Sequence, residues 1–176
     1  MNKNDNAFID KFCKIMVLTL SLLANSYIVL YAQQDKVRYI SDLYDYVKYK
    51  IEDNAYQTLV MENTESTNGG REVFYYSFAG DDTPILRLII TKSTDGKLYK
   101  EYLYDNDGNM IFYIEKGGST AYQQLKVYFE KGNKLIEIWQ DNKSFHSIII
   151  EESKHIKAVL SEAESYAVIF AEKMKK

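Results

Sequence analysis

Val37, Ile40, Tyr44, Val47 and Ile51 recur at steps of three and four, which sets them along one face of a helix. Leu43 widens the stripe, and Arg38, Asp42, Asp45, Lys48 and Lys50 occupy the other sides. The spacing predicts a helix over about 35–53, with Asp35 placed to cap its first free N–H groups. From about residue 56 the period shortens to two. Leu125, Val127 and Phe129 alternate with Lys126, Tyr128 and Glu130, the pattern of a strand with one buried face. Phe74, Tyr76 and Phe78 form a similar stripe, as do Met110, Phe112 and Ile114, while 85–90 is apolar on most of both faces. Helical spacing returns with Ile156, Val159, Leu160, Ala163, Tyr166, Ala167, Phe170 and Met174, predicting a helix over about 154–174 with Ser153 as its cap.

Short turn signals separate the strand runs. Ser93-Thr94-Asp95-Gly96, Asp105-Asn106-Asp107-Gly108-Asn109 and Lys131-Gly132-Asn133 each put glycine where a hairpin commonly needs positive φ. Loops this short make successive strands antiparallel neighbours. Eight runs have strand character: 56–62, 72–79, 85–92, 97–104, 110–115, 123–130, 134–140 and 145–151. The expected fold is α+β, with an N-terminal helix, an antiparallel meander of five to seven strands and a C-terminal helix. Both helices are expected on one sheet face, since each stripe needs burial. The loose likeness of YDNDGNMIF (104–112) to YFEKGNKLI (128–136) reflects hairpins of similar length.

The start of the chain is different. Lys3, Lys11 and Lys14 precede an apolar run, Ile15 to Leu23, and the stretch Tyr27 to Ala32 ends on a small residue before Gln33-Gln34. A basic head, a short apolar body and a small terminal residue are the pattern of a secretory signal peptide. Residues 1–32 therefore read as a leader and 33–176 as a single domain, with cleavage after Ala24 as the alternative. The expected location is periplasmic or extracellular, without a stable membrane anchor once the leader is gone. Asn25-Ser26 interrupts the apolar stretch, and polar side chains fare badly in lipid.

The only cysteine, Cys13, lies in the leader, so residues 33–176 stand on their core without disulfides. The full chain has 22 Lys and Arg against 25 Asp and Glu, a net charge of −3. That balance gives no footprint for nucleic acid, which needs a basic stripe.

Chemistry-bearing patterns are scarce. His146 and His155 are the only histidines, nine residues apart, so histidine–thiolate metal sites have no ligand set and no cofactor is expected. The Asp105–Asn109 run has its glycine fourth, not sixth as a calcium loop requires, and reads as a turn. There is no G-x-S-x-G elbow, phosphate loop or dinucleotide fingerprint. Asn142-Lys143-Ser144 matches a glycosylation sequon. No catalytic residue is expected, although a hydrolase working with two carboxylates is the alternative.

Tyrosine is the one compositional excess: 16 in the chain, 14 after the leader. Tyr102 and Tyr104 share one face of their strand; Tyr113 lies opposite Phe112 and Ile114, and Tyr128 opposite Val127 and Phe129. With both helices on one sheet face, Tyr113 and Tyr128 are expected to point outward. Together with Tyr102, Tyr104 and Trp139 they are the candidate surface for a protein, peptide or glycan. The expected function is therefore that of an exported, non-catalytic binding or interaction protein.

The strands YLYDNDGNMIFYIE and VYFEKGNKLIEIW, between a leader ending in Ala-Gln and a closing helix, resemble small exported envelope proteins of Bacteroidetes. The resemblance implies an envelope location and carries no site residue across.

Overall fold

The computed structural model describes Met16 and residues 31–63, 70–117, 122–145 and 150–175. The leader therefore falls almost entirely outside the described residues, as does His146. The chain divides into two units, residues 1–39 and 40–176. Of the first, 31–39 are helical and belong to a helix, α1, that continues to residue 52. Asp35 thus lies inside a helix rather than at its cap. Among the described residues no helix is long and apolar enough to cross a membrane.

The second unit holds one sheet of eight strands in the order β1 to β8, each antiparallel to the next. They are β1 Gln57–Asn63, β2 Gly70–Phe78, β3 Pro84–Ser93, β4 Tyr99–Tyr104, β5 Met110–Lys116, β6 Gln124–Glu130, β7 Lys134–Gln140 and β8 Lys143–Phe145. The meander is as the turn signals require; Gly96, Gly108 and Gly132 all have positive φ. Five to seven strands was too few. The last run was also misplaced: β8 is short and ends at Phe145, and the final helix, α2 (Ile150–Met174), begins before Ser153.

The helices do not share a face. Tyr44 of α1 packs edge-on against Phe112, with ring centroids 5.2 Å apart, and Phe112 lies tilted against its cross-strand partner Tyr128, with centroids 4.6 Å apart. Ile156, Val159, Ala163, Tyr166 and Phe170 of α2 join a cluster that holds Tyr102, Tyr104, Tyr113, Val127 and Phe129. Phe112 and Tyr113 are neighbours in β5, so their side chains leave opposite faces. Within the second unit, the part of α1 from residue 40 onward therefore covers one face and α2 the other. The physical reason is legible in β5 itself: Met110 to Ile114 is apolar throughout, as a strand covered on both sides must be.

Bulges adjust this pattern. Leu103 pairs with Phe112 but Tyr104 pairs with Met110, which leaves Ile111 as an extra residue. That insertion turns Met110 to the α2 face, away from Phe112 and Ile114. The expected single stripe of Met110, Phe112 and Ile114 is therefore split between two cores.

Candidate functional site

Tyr31, Tyr39, Tyr46 and Tyr49 are exposed, but much of the remaining tyrosine is accounted for inside the molecule. On the α1 face the carboxylate of Glu101, almost fully buried, accepts hydrogen bonds from the Tyr44 hydroxyl at 2.9 Å, the Lys48 ammonium at 3.2 Å and the Tyr99 hydroxyl. On the α2 face Glu115 accepts from the hydroxyls of Tyr113 and Tyr122 and lies 3.2 Å from His155 Nε2. Burial alone would raise the Glu115 pKa, but His155, Tyr113 and Tyr122 outweigh it and bring it down to about 2. A third carboxylate, Glu162 of α2, accepts from Tyr102 at 2.6 Å and from Lys100 at 2.7 Å. Tyr104 donates to the Ala163 carbonyl at 2.8 Å. Each phenol thus brings a large apolar body into a core and ends on an acceptor. Burial first, and the neighbouring carboxylates second, push the Tyr44 and Tyr104 hydroxyls well above their ordinary range, so they stay protonated donors.

These contacts correct the expected surface. Tyr113 and Tyr102 have no exposure, Tyr104 has 2% and Tyr128 has 6%. Tyr113 lies beneath α2, and Tyr128 lies beneath α1, sharing a hydrogen bond with Ser41. Their outward placement failed because it assumed one bare face, and neither face is bare there. Trp139 is half-buried, and among the described residues its indole N–H has no acceptor.

An open surface lies beside the C-terminal end of α1. The described contacts of α1 fall on β4 to β6, and beside it the same face of β1 to β3 lines an open-sided groove of about 460 Å³, next to the buried Leu88. Register builds its floor in rows. Val60 pairs with Val73 and Val73 with Ile90, giving an apolar row, and Thr58 pairs with Tyr75 in the row beside it. The row on the other side runs Glu62, Arg71, Lys92, Tyr99, Lys116 across five strands. Lys92 and Lys116 each lie 5.6 Å from the centroid of the Tyr99 ring, within cation–π range. The Tyr99 hydroxyl is committed to Glu101 and held protonated by burial, so the ring is what it offers the groove.

The register of that row depends on Gly70, which precedes Arg71 and pairs with Ser93. A Cβ there would run into the Lys92 backbone carbonyl. Only glycine allows β2 and β3 to approach this closely while bringing Arg71 opposite Lys92.

A second, smaller hollow of about 230 Å³ opens on the α2 side, lined by Glu72, Thr91, Lys100, Glu162 and Tyr166. The Tyr166 hydroxyl lies 3.3 Å from Glu72 and 3.4 Å from Glu162. Burial raises the Glu72 pKa, opposed by the Tyr166 hydrogen bond. Among the described residues no group of three or more His, Cys, Asp or Glu could hold a metal ion. The Asp105–Asn109 run is a turn in which one Asp105 oxygen accepts from the backbone N–H of Asp107 and Asn109.

The residues that organise these sites, Glu101, Glu115, Glu162, Arg71, Lys92 and Tyr99, were not singled out from the sequence. A signal for two of them was present. Tyr99-Lys100-Glu101 and Tyr113-Ile114-Glu115 repeat a Tyr-x-Glu pattern, which in a strand puts phenol and carboxylate on one face. No family model, curated protein or solved structure matches this chain.

Proposed function

We propose that this is an exported, non-catalytic binding protein whose binding surface is the groove beside α1. The observation that carries the reading is the groove's composition: an apolar floor with the Tyr75 and Tyr99 rings, edged by the exposed side chains of Arg71 and Lys92. Convergent rings and charged donors around a few hundred Å³ are the makings of a recognition site. The volume suits one small molecule, one peptide side chain or one sugar unit of a larger partner. Export to the periplasm or beyond rests on the basic head and short apolar body of residues 1–32.

A second reading has its own observation. Glu72 and Glu162 reach one hydroxyl at the edge of a hollow, and Glu72 is held toward its protonated form, the kind of pair that acid–base hydrolysis uses. The two readings separate in one experiment. The protein is titrated by NMR with aromatic, peptide and glycan fragments and incubated in parallel with 4-nitrophenyl glycosides and esters. Fragment shifts centred on Val73, Ile90 and Tyr99, without turnover, are the expected result. Turnover that disappears in Glu72→Gln replaces the binding reading with the hydrolase.

A further inference from the structure

We infer that the groove beside α1 takes an anion carried on an apolar body: a carboxylate, sulfate or phosphate attached to an aromatic or aliphatic group. The inference rests on the binding reading above and names the chemistry of what binds. Arg71 and Lys92 are direct cross-strand partners on one sheet face, and like charges in that position repel and destabilise the pair. Ordinary sheets put an acid opposite a base there. Glu62 is the register partner of Arg71 on its other side, yet among the described residues no carboxylate comes within ion-pair distance of Arg71 or Lys92. Lys48, at the same groove, differs in having its charge answered by Glu101. Among the described residues, therefore, two cations without a carboxylate partner line the groove on adjacent strands, about one strand spacing (~4.8 Å) apart, Lys92 resting against the Tyr99 ring.

That spacing suits the two oxygens of a single anionic head, and an arginine beside a lysine supplies both a forked and a point donor. Behind them, the Val60, Val73 and Ile90 row gives an apolar body somewhere to lie. Tyr99 closes the charged row with a ring whose hydroxyl is already used. The charge of Glu101 is met by Lys48 and two hydroxyl donors; Glu52 of α1 also lines the groove and is exposed to solvent. Head and body are thus both provided for, in adjacent rows of one sheet face.

The test is calorimetric titration of the full chain with three probes: naphthalene-2-sulfonate, its neutral counterpart naphthalene-2-methanol, and inorganic sulfate. The expected order is sulfonate tightest, with its affinity falling at least tenfold in the Arg71→Gln/Lys92→Gln double variant and with added salt. Neutral naphthalene binding should be unchanged by those substitutions. Circular dichroism and thermal melting of the variant establish that both exposed sites were replaced without loss of fold. Equal affinity for sulfonate and methanol in the wild type, or an unaltered sulfonate affinity in the double variant, overturns the anion inference while leaving a binding groove. Inorganic sulfate binding as tightly as the sulfonate also overturns it, since the apolar row then contributes nothing. Failure of both naphthalenes to bind removes the inference and the groove reading together.

Discussion

The two faces of the sheet are built from the same components and finished differently. On the α2 face a large cluster of rings is tied down by Glu115 and Glu162, which accept from Tyr113, Tyr122 and Tyr102 and pair with His155 and Lys100. On the α1 face Glu101 is the one buried carboxylate among the described residues that serves that purpose, with Tyr44, Tyr99 and Lys48 as donors. Through Phe170 the α2 helix extends its apolar contacts to Phe74 of β2. The described contacts of α1 centre on β4 to β6, and the groove lies beyond them over β1 to β3. The larger hollow, about 460 Å³, lies on the α1 face, and the smaller, about 230 Å³, on the α2 face. Since neutral hydrogen bonds each contribute only about 1 kcal/mol net, the difference should be measurable side chain by side chain.

The largest expected effect comes from Tyr113. Replacing it by alanine opens a cavity in the α2 core and removes a donor from Glu115, so urea denaturation should show a loss of about 3–5 kcal/mol. Tyr113→Phe keeps the packing and should lose about 1–2 kcal/mol, isolating the hydrogen bond. A loss below half a kcal/mol for Tyr113→Ala would mean that α2 does not seal that face.

The next effect is a pH dependence specific to the same face. With its pKa lowered to about 2 in the fold, Glu115 stabilises the protein fully above the ordinary carboxylate range, near pH ~4.5. That stabilisation, on the order of 2–3 kcal/mol, is lost as the pH falls from there toward 2. Glu115→Gln should flatten denaturation midpoints across this window, while Glu101→Gln should leave the Glu115 component of the acid slope in place.

The sequence made the skeleton legible where one period dominated. The α1 and α2 stripes, the six central strands and the turn glycines all follow from spacing that local geometry enforces. What escaped was whatever depended on two elements meeting. The two-sided apolarity of Met110 to Ile114 was in plain view, but deciding that each helix takes its own face requires knowing what crosses above. The Ile111 bulge that turns Met110 to the α2 core has no signature in residue type. The candidate site failed for the same reason: an aromatic excess looks alike whether its hydroxyls meet solvent or buried carboxylates. The Arg71–Lys92 pair could not be seen before the register between β2 and β3 was fixed.

A smaller effect sharpens the contrast from the α1 side. Tyr44→Phe removes one of three donors to Glu101 and should lower stability by about 1 kcal/mol, less than any truncation under α2. The smallest effect concerns Glu72, whose carboxylate is partly buried and held toward protonation. Glu72→Gln keeps a partner for Tyr166 and removes a disfavoured charge, so thermal melting at neutral pH should show no loss and a gain of at most about 1 kcal/mol.

The strictly sequential strand order has a consequence for how the molecule comes into being. Every strand pairs with its neighbour in the chain, so each hairpin can close as soon as its second strand is available, without waiting for distant segments. Such local connectivity favours rapid, stepwise assembly. In a chain delivered N-terminus first, α1 and the hairpins precede the one element that arrives last, α2. Until then the rings of Phe74, Tyr102, Tyr113 and Phe129 have no cover. The growing sheet is therefore most exposed to mispairing in the interval before its 25-residue covering helix is made, and arrest of synthesis just short of Ile150 should trap the species most prone to aggregate.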